Sequence, residues 1–221
     1  MSIGGEPLQR LRLEYTKGES LRYVSHLDMM RLWERAFRRA GLPVAHTQGF
    51  NPRPRIGMAC PLPTGVTSRA ELLDVFLIER LDAEQVARRL SDTLPHGVEV
   101  LRIHEVGLGL PALMSLPALV EYQCFVRRAD PPGSMEAQLQ KWMAQDSVLR
   151  ERQKKDRREE YDLRPLVDDL WIARHDSEEW VLGMRLRAGP TGTGRPDEML
   201  KALDLWEDAR GIERTALLLP E

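Results

Sequence analysis

One stretch of the sequence decides the fold: residues 22–63 read RYVSHLDMMRLWERAFRRAGLPVAHTQGFNPRPRIGMACPLP. Its first half predicts an amphipathic helix, because apolar side chains recur at helical spacing while arginines fill the opposite side. The apolar positions are Met30, Trp33, Phe37 and Ala40. Ser25 is a typical N-cap with Asp28 in the first turn, and Gly41 followed by Pro43 ends the helix.

Strand and helix patterns surround this stretch in a definite order. Leu11–Tyr15 alternates apolar and polar residues, as a half-buried strand does, and residues 42–47 are also strand-like. Further on, the sequence predicts a strand at 71–78, a helix at 82–94 and a strand at 98–106. The order strand, helix, strand, strand, helix, strand predicts a ferredoxin-like (βαββαβ) domain, an antiparallel sheet with both helices on one face.

The same order recurs in the second half of the chain. A strand, a helix, two strands, a helix and a strand are predicted at 119–127, 134–150, 161–173, 179–187, 196–205 and 212–219. We therefore predict an α+β protein of tandem ferredoxin-like repeats with antiparallel sheets. Residues 9–106 and 118–221 form the repeats, residues 107–117 a linker rich in Gly, Leu and Pro, and residues 1–8 a flexible N-terminus.

Composition describes an ordinary globular protein. Of 221 residues, 42% are hydrophobic and 30% charged, and the net charge is -2. No apolar run approaches the roughly twenty residues that cross a bilayer, so we expect no membrane association and a cytoplasmic location. The two cysteines, Cys60 and Cys124, lack the spacing of a zinc site or iron–sulfur cluster. We expect no metal and no cofactor bound by this chain alone.

Positive charge is concentrated in one region. Residues 10–55 contain ten basic and four acidic residues, a local charge of about +6. Within it, the segment 48–55 carries Arg53 and Arg55 between prolines that stiffen the backbone, and guanidinium groups suit phosphate. Phe50 offers a ring on which a nucleobase could stack. The alternative is a solvated loop whose Phe50 lies in the core and whose arginines pair with acidic residues.

A second basic run occupies a comparable place in the second repeat. It contains Arg150, Arg152, Lys154, Lys155, Arg157 and Arg158, interspersed with acidic residues. Such a run is commonly a solvated turn. The matching positions leave open an alternative, in which two basic hairpins flank one cleft and follow a phosphate backbone.

Catalytic motifs are scarce. The sequence has no P-loop, no GxGxxG, no HExxH and no GxSxG. His26 and Asp28 could act as a general base and its orienting carboxylate, with His46 nearby, but helix capping explains both of the first two equally well. The sequence therefore favours a protein without catalytic activity of its own.

Several sequence blocks resemble those of the bacterial family DUF2344, also described as radical SAM-associated. SHLD at Ser25–Asp28, the RRAGLP block within Ala36–Pro43, TQGFNP at Thr47–Pro52 and PLPTGV at Pro61–Val66 carry the resemblance, with Thr47 in place of the usual serine. The later DLRP at 162–165 and Arg214-Thr215 extend it. The resemblance implies a partner, because such proteins are encoded beside or fused to radical SAM proteins. This chain lacks CxxxCxxC, so the chemistry would belong to the partner.

Three functional hypotheses remain open. In the first, the chain is an accessory module that binds RNA or another anionic substrate through basic loops and presents it to a radical SAM protein. In the second, it is a protein–protein adaptor without nucleic acid, using Phe50, Trp171 and the arginines. In the third, it is a metal-independent RNA-processing enzyme using His26. Charge and aromatic character give Phe50, Arg53, Arg55, Lys154 and Lys155 as candidate binding residues. The resemblance to the family adds Arg22, His26, Asp28, Gln48, Asn51, Asp162 and Arg164.

Overall fold

The computed structural model describes residues 5–127, 134–154, 157–190 and 192–220, with the backbone alone at residues 153, 154 and 157. The chain divides into two compact units, residues 1–116 and 117–221. Within each unit, strands that pair do so in antiparallel fashion, and helices are interspersed between them. The predicted α+β class is confirmed.

The first unit contains four strands and two helices among its described residues. They are β1 (Gln9–Lys17), α1 (His26–Arg39), β2 (Ile56–Met58), β3 (Thr67–Leu77), α2 (Ala83–Ser91) and β4 (Val100–Val106). Neighbouring strands follow the order β4–β1–β3–β2, and each pair is antiparallel. The register places Leu13 of β1 opposite Leu73 of β3 and Ile103 of β4.

The predicted strand at residues 42–47 is wrong. Val44 and His46 each form an isolated bridge, to Leu77 and Pro54, and regular strand structure begins only at β2. The physical reason is the clustering of prolines, since Pro43, Pro52 and Pro54 lack the N–H that a continuous ladder needs.

Helix α1 packs on the sheet through the apolar stripe that its sequence predicts. Trp33 and Phe37 are almost completely buried, and the Trp33 ring meets Tyr15 of β1 edge-on with 4.9 Å between centroids. Burial of each such ring contributes on the order of 2 kcal/mol. Ser25 caps the helix as predicted, because its hydroxyl oxygen accepts a hydrogen bond from the Asp28 backbone N–H at 3.2 Å. Gly41, at φ +62°, follows its end.

The opposite face of this sheet carries a buried ion cluster. The carboxylate of Asp74 accepts hydrogen bonds from Arg10 at 2.9 Å and from Arg12 at 2.8 Å. Arg10 also donates to the carbonyl oxygens of Leu110 at 2.6 Å and Pro111 at 2.8 Å. Part of the segment predicted as a linker is therefore held against the first unit, because a buried guanidinium requires these acceptors.

The second unit repeats the order of the main elements and adds two further pieces. Its elements are β5 (Ala118–Arg127), α3 (Ser134–Met143), β6 (Leu149–Lys154), β7 (Arg157–Asp162), β8 (Val167–His175), β9 (Glu179–Gly189), β10 (Gly192–Thr193), α4 (Pro196–Ala202) and β11 (Ala209–Leu218). Neighbouring strands follow the order β11–β5–β9–β8, with the short β10 also paired to β9. Strands β6 and β7 form a separate hairpin.

The helix predicted at 134–150 is wrong beyond Met143. Residues 149 and 150 belong to β6 instead. Cross-strand pairing with β7 explains the difference, since Arg150 lies opposite Tyr161 and Arg152 lies opposite Glu159 in the hairpin register. Pro196 is the first residue of α4, where proline is tolerated, as the sequence predicts.

Two features are absent from the described part of the chain. None of its helices combines the length and apolar character needed to span a bilayer. Within the same ranges, no group of His, Cys, Asp and Glu side chains is arranged to hold a metal ion. Burial raises the pKa of the Cys124 thiol, which is therefore an inert core residue.

Candidate nucleic-acid interface

Residues 44–55, here called the basic loop, connect the end of α1 to β2 and project from the first unit. Backbone hydrogen bonds hold its two arms together. The Thr47 N–H donates to the Arg53 carbonyl oxygen at 2.8 Å, and the Arg55 N–H donates to the Ala45 carbonyl oxygen at 2.7 Å. The Thr47 hydroxyl oxygen accepts from the Arg53 N–H at 3.0 Å. The tip, residues 48–52, is thus displayed on a braced hairpin.

Phe50 at the tip is fully exposed, with a relative accessibility of 105%. The preceding Gly49 has φ +123°, a backbone conformation that residues with a Cβ rarely adopt. Gln48 and Asn51 on either side are exposed as well. The alternative in which Phe50 lies in the core is therefore wrong. An aromatic ring this exposed adds no buried apolar surface to the folded state, and its faces are available for stacking.

The two arginines of the basic loop differ in their surroundings. Arg53 is exposed, and among the described residues no carboxylate forms an ion pair with it. The Arg55 guanidinium lies 4.4 Å from the centroid of the Phe76 ring, a cation–π contact that orients it across β3. Among the described residues, the Arg53 guanidinium is therefore exposed without an ion pair, whereas the Arg55 guanidinium is packed on the Phe76 ring.

Helix α1 adds positive charge beside the basic loop. Arg35, Arg38 and Arg39 are exposed on the side of the helix opposite Trp33, and within the described ranges none of the three forms an ion pair. Arg31 is different, because it pairs with Asp28 at 3.0 Å. Sequence reasoning left these three arginines out of the candidate site. The signal that could have included them is their helical spacing in the sequence between Arg31 and Gly41, where Glu34 is the single acidic residue.

Ser25 and Asp28 of the SHLD block have mainly structural roles. The carboxylate of Asp28 accepts hydrogen bonds from the Ser25 hydroxyl at 2.7 Å and from Arg31 at 3.0 Å, and these contacts hold the pKa of Asp28 below its usual value. His26 is the first residue of α1. The contacts of Asp28 with Ser25 and Arg31 are those of a capping residue, which is one of the two explanations that the sequence leaves open.

Arg22 also holds the backbone. Its Nε donates to the Gly65 carbonyl oxygen at 2.8 Å, and its Nη1 pairs with Glu19 at 3.1 Å. In return, the Gly65 N–H donates to the Arg22 carbonyl oxygen at 3.0 Å. This arginine therefore joins the turn before α1 to the turn before β3.

Asp162 and Arg164 of the DLRP block are both bound to backbone groups. The Asp162 carboxylate accepts hydrogen bonds from the N–H groups of Val148 at 2.8 Å and Arg164 at 3.0 Å, which hold the pKa of Asp162 below its usual value. Arg164 donates to the carbonyl oxygens of Met143 at 3.1 Å and Val167 at 2.9 Å. Since Met143 is the last residue of α3, Arg164 caps that helix.

The second basic run forms the β6–β7 hairpin, residues 149–162. Arg152 pairs with Glu159 at 2.9 Å and Arg158 approaches Glu151 at 3.8 Å. Lys155 lies outside the described residues, and only the backbone of Lys154 is described, paired with Arg157. The described arginine side chains that pair in this hairpin are neutralised by glutamates on the facing strand.

Comparison with known proteins gives a family. The model of the family described as "Uncharacterized protein conserved in bacteria (DUF2344)" matches residues 10–196, so this chain belongs to that family. The expected family is confirmed. No curated protein matches the chain.

Solved structures give weaker likenesses. A chain from "Crystal Structure of a Cbf5-Nop10-Gar1 Complex" is 10% identical with a TM-score of 0.49, and the match covers 97% of this chain. This chain spans only 49% of that one. A DypB variant from Rhodococcus jostii RHA1 in complex with heme is 11% identical with a TM-score of 0.25, covering 99% of this chain and 94% of that chain.

Proposed function

We propose that this DUF2344 member is a non-catalytic accessory module that binds single-stranded RNA through its basic loop and presents it to a radical SAM partner protein. The observation that carries the proposal is the pairing of a fully exposed Phe50 with an exposed Arg53 that forms no ion pair among the described residues. Both lie on one braced hairpin.

Physical chemistry favours a nucleic acid over a simple anion as the ligand of this loop. A phosphate would need Arg53 but not Phe50, whereas an unpaired nucleotide offers a phosphate and a flat base together. Stacking a base on an aromatic side chain contributes about 1–3 kcal/mol, and the guanidinium adds a phosphate contact. The exposed ring, which contributes nothing to the core, is then accounted for.

The arginines of α1 support the same proposal by extending the positive surface. Arg35, Arg38 and Arg39 lie on the helix that leads into the basic loop, and each is exposed. Such a run attracts a polyanion and makes its binding dependent on salt. The β6–β7 hairpin is left out of the proposed site because Arg152 pairs with Glu159 and Arg158 lies near Glu151.

We also propose that each unit is a ferredoxin-like repeat. The support is the strand order, which is β4–β1–β3–β2 in the first unit and β11–β5–β9–β8 in the second, with antiparallel neighbours in both. Numbered within each unit, both sequences of strands are 4–1–3–2, the arrangement of the split βαβ motif. On this view the β6–β7 hairpin and β10 are additions to the second repeat.

The radical SAM partner is proposed from the sequence blocks that resemble radical SAM-associated proteins. A protein–protein adaptor is the second candidate function, and a particular surface favours it. Tyr23, just before α1, and Leu27, in its first turn, are 75% and 68% exposed, so both are available to a partner surface. Capture of a radical SAM protein that is lost in a Tyr23→Ser, Leu27→Ser variant would support the adaptor.

Fluorescence anisotropy with a labelled single-stranded RNA tests the proposal. We expect binding that weakens steeply between about 50 and about 200 mM salt. Phe50→Leu should weaken it about tenfold, since leucine keeps the apolar volume but lacks a stacking face, and Phe50→Trp should preserve it. Arg53→Ala should weaken it several-fold and lower the salt dependence.

The matched control is Arg152→Ala, which removes an arginine that is already paired and should leave binding unchanged. RNA binding that is indifferent to both Phe50→Leu and Arg53→Ala would exclude the basic loop as the site. Cleavage of the RNA during the assay, abolished by His26→Ala, would instead establish the enzymatic hypothesis.

A further inference from the structure

A cavity of about 580 Å³ lies between α1 and the first arm of the basic loop, away from the Phe50 tip. Its floor is apolar and is formed by the side chains of Phe37, Leu42, Val44 and Ile78. The volume falls within the range of about 300–1,000 Å³ that is usual for small-molecule sites. The floor offers no side-chain hydrogen-bond donor or acceptor, so it fits an apolar ligand body and not the polar edges of a nucleobase.

The rim of this cavity is charged. Arg35 and Arg38 line it from α1, together with Glu34. Arg38 forms no ion pair within the described part of the chain, and the charge of Arg35 also acts on Asp28. Two guanidinium groups against one carboxylate leave a net charge of about +1, which matches one negative charge on a ligand better than two.

His46 completes the rim and has a defined tautomer. Its Nδ1 lies 3.0 Å from the Val44 carbonyl oxygen. A carbonyl oxygen can only accept, so Nδ1 carries the hydrogen and donates it. Nε2 is therefore the ring nitrogen left for a ligand, as an acceptor when the imidazole is neutral and as a donor when it is protonated.

We propose that this cavity binds a small amphipathic monoanion, a carboxylate on an alkyl or aryl body of roughly ten heavy atoms. The body lies on the floor formed by Phe37, Leu42, Val44 and Ile78, and Arg35 and Arg38 bind the carboxylate. The site shares Arg35 and Arg38 with the positive surface of the proposed function, but it uses neither Phe50 nor Arg53, which carry that function. Either proposal can fail without the other.

Titration calorimetry of the full chain with octanoate tests the proposal. Octanoate should bind to one site, and hexanoate should bind about tenfold more weakly because two methylene groups no longer reach the floor. Octanol, which has the same chain without the charge, should bind at least tenfold more weakly. Octyl phosphate should not bind more tightly than octanoate, since the rim compensates about one charge.

Variants locate the ligand. Arg38→Ala should weaken octanoate binding about tenfold, and Arg35→Ala should do so to a smaller extent. The matched control is Arg88→Ala on α2, an exposed arginine that does not line the cavity. Val44→Trp should fill the cavity and abolish binding, and a cooperative thermal transition close to that of the parent chain would establish that this variant is folded.

Two results would overturn the proposal. One is octanoate binding that is absent, or that is equal in the parent chain, Arg38→Ala and a folded Val44→Trp variant. The other is adenosine monophosphate binding more tightly than octanoate and competing with the labelled RNA, which would make the cavity part of a nucleotide site. RNA binding that fails while octanoate binding persists would remove only the proposed function.

Discussion

Two basic segments of this molecule differ in the acidic residues that surround their arginines. The basic loop, residues 44–55, carries arginines without an acidic residue in its own sequence, and Arg53 stays exposed and unpaired among the described residues. The β6–β7 hairpin has more basic residues, yet Arg152 and Arg158 face glutamates across the hairpin. The number of basic residues is therefore a poor guide to a binding surface. A basic segment is available to a ligand only where acidic side chains do not lie opposite its basic residues.

A third arrangement sharpens this comparison. Arg164 is neither free nor paired with a carboxylate, but donates to the backbone carbonyl oxygens of Met143 and Val167. Arg22 also donates to the Gly65 carbonyl oxygen, in addition to its pair with Glu19. Arg164, Arg152 and Arg53 thus represent three arrangements: bound to backbone, paired with a carboxylate, and exposed without an ion pair among the described residues. Only an arginine of the third kind can bind a ligand without first losing an existing contact.

The largest expected effect follows from the backbone-bound group. Arg164→Ala should lower the free energy of unfolding by about 2–3 kcal/mol, because it leaves the last carbonyl of α3 without a charged donor. Arg53→Ala should change that free energy by less than about 0.5 kcal/mol, as at an ordinary surface position. Urea unfolding followed by far-UV circular dichroism measures both. Equal destabilisation by the two variants would contradict the distinction between backbone-bound and exposed arginines.

A smaller effect concerns pH. The backbone N–H groups that bind Asp162 lower its folded-state pKa below the unfolded value. Its contribution to stability is therefore present above the unfolded pKa of about 4 and is lost as pH falls through the folded pKa. We expect Asp162→Asn to lose stability at neutral pH and to approach the parent chain near pH 2.

The measurement is urea unfolding at a series of pH values between about 2 and about 7. Glu160→Gln is the matched control, because Glu160 is exposed and accepts no hydrogen bond within the described residues. It should follow the parent chain over this range. An Asp162→Asn variant whose stability runs parallel to the parent at every pH would mean that the carboxylate charge contributes nothing.

The features predictable from sequence are those set by local periodicity and capping. Helix α1 begins after Ser25 and is followed by Gly41, as the sequence predicts, because a cap needs only neighbouring residues. The exposed tip around Phe50, flanked by prolines, is also one of the two alternatives that the sequence predicts. Its prolines and Gly49 restrict the backbone locally, whatever the rest of the chain does.

The features that escaped prediction depend on distant partners. Residues 149 and 150 continue a helical pattern, yet they form a strand because β7 pairs with them. Arg164 of the DLRP block is a candidate binding residue from the family resemblance, but in the structure it caps a helix that ends at Met143. The residues next to an arginine in the sequence do not determine which distant groups its guanidinium contacts in the fold.

The smallest expected effect tests the paired group itself. A double-mutant cycle between Arg152→Ala and Glu159→Ala should give a coupling of about 0.2–1 kcal/mol, because both side chains are nearly half exposed, at 47% and 42%. The coupling should shrink as salt is added. A coupling of zero would mean that glutamate does not hold these arginines, so the hairpin would be as available to RNA as the basic loop. A coupling well above that range would mean that the Arg152–Glu159 ion pair stabilises the hairpin. A phosphate group would then not displace Glu159 from Arg152.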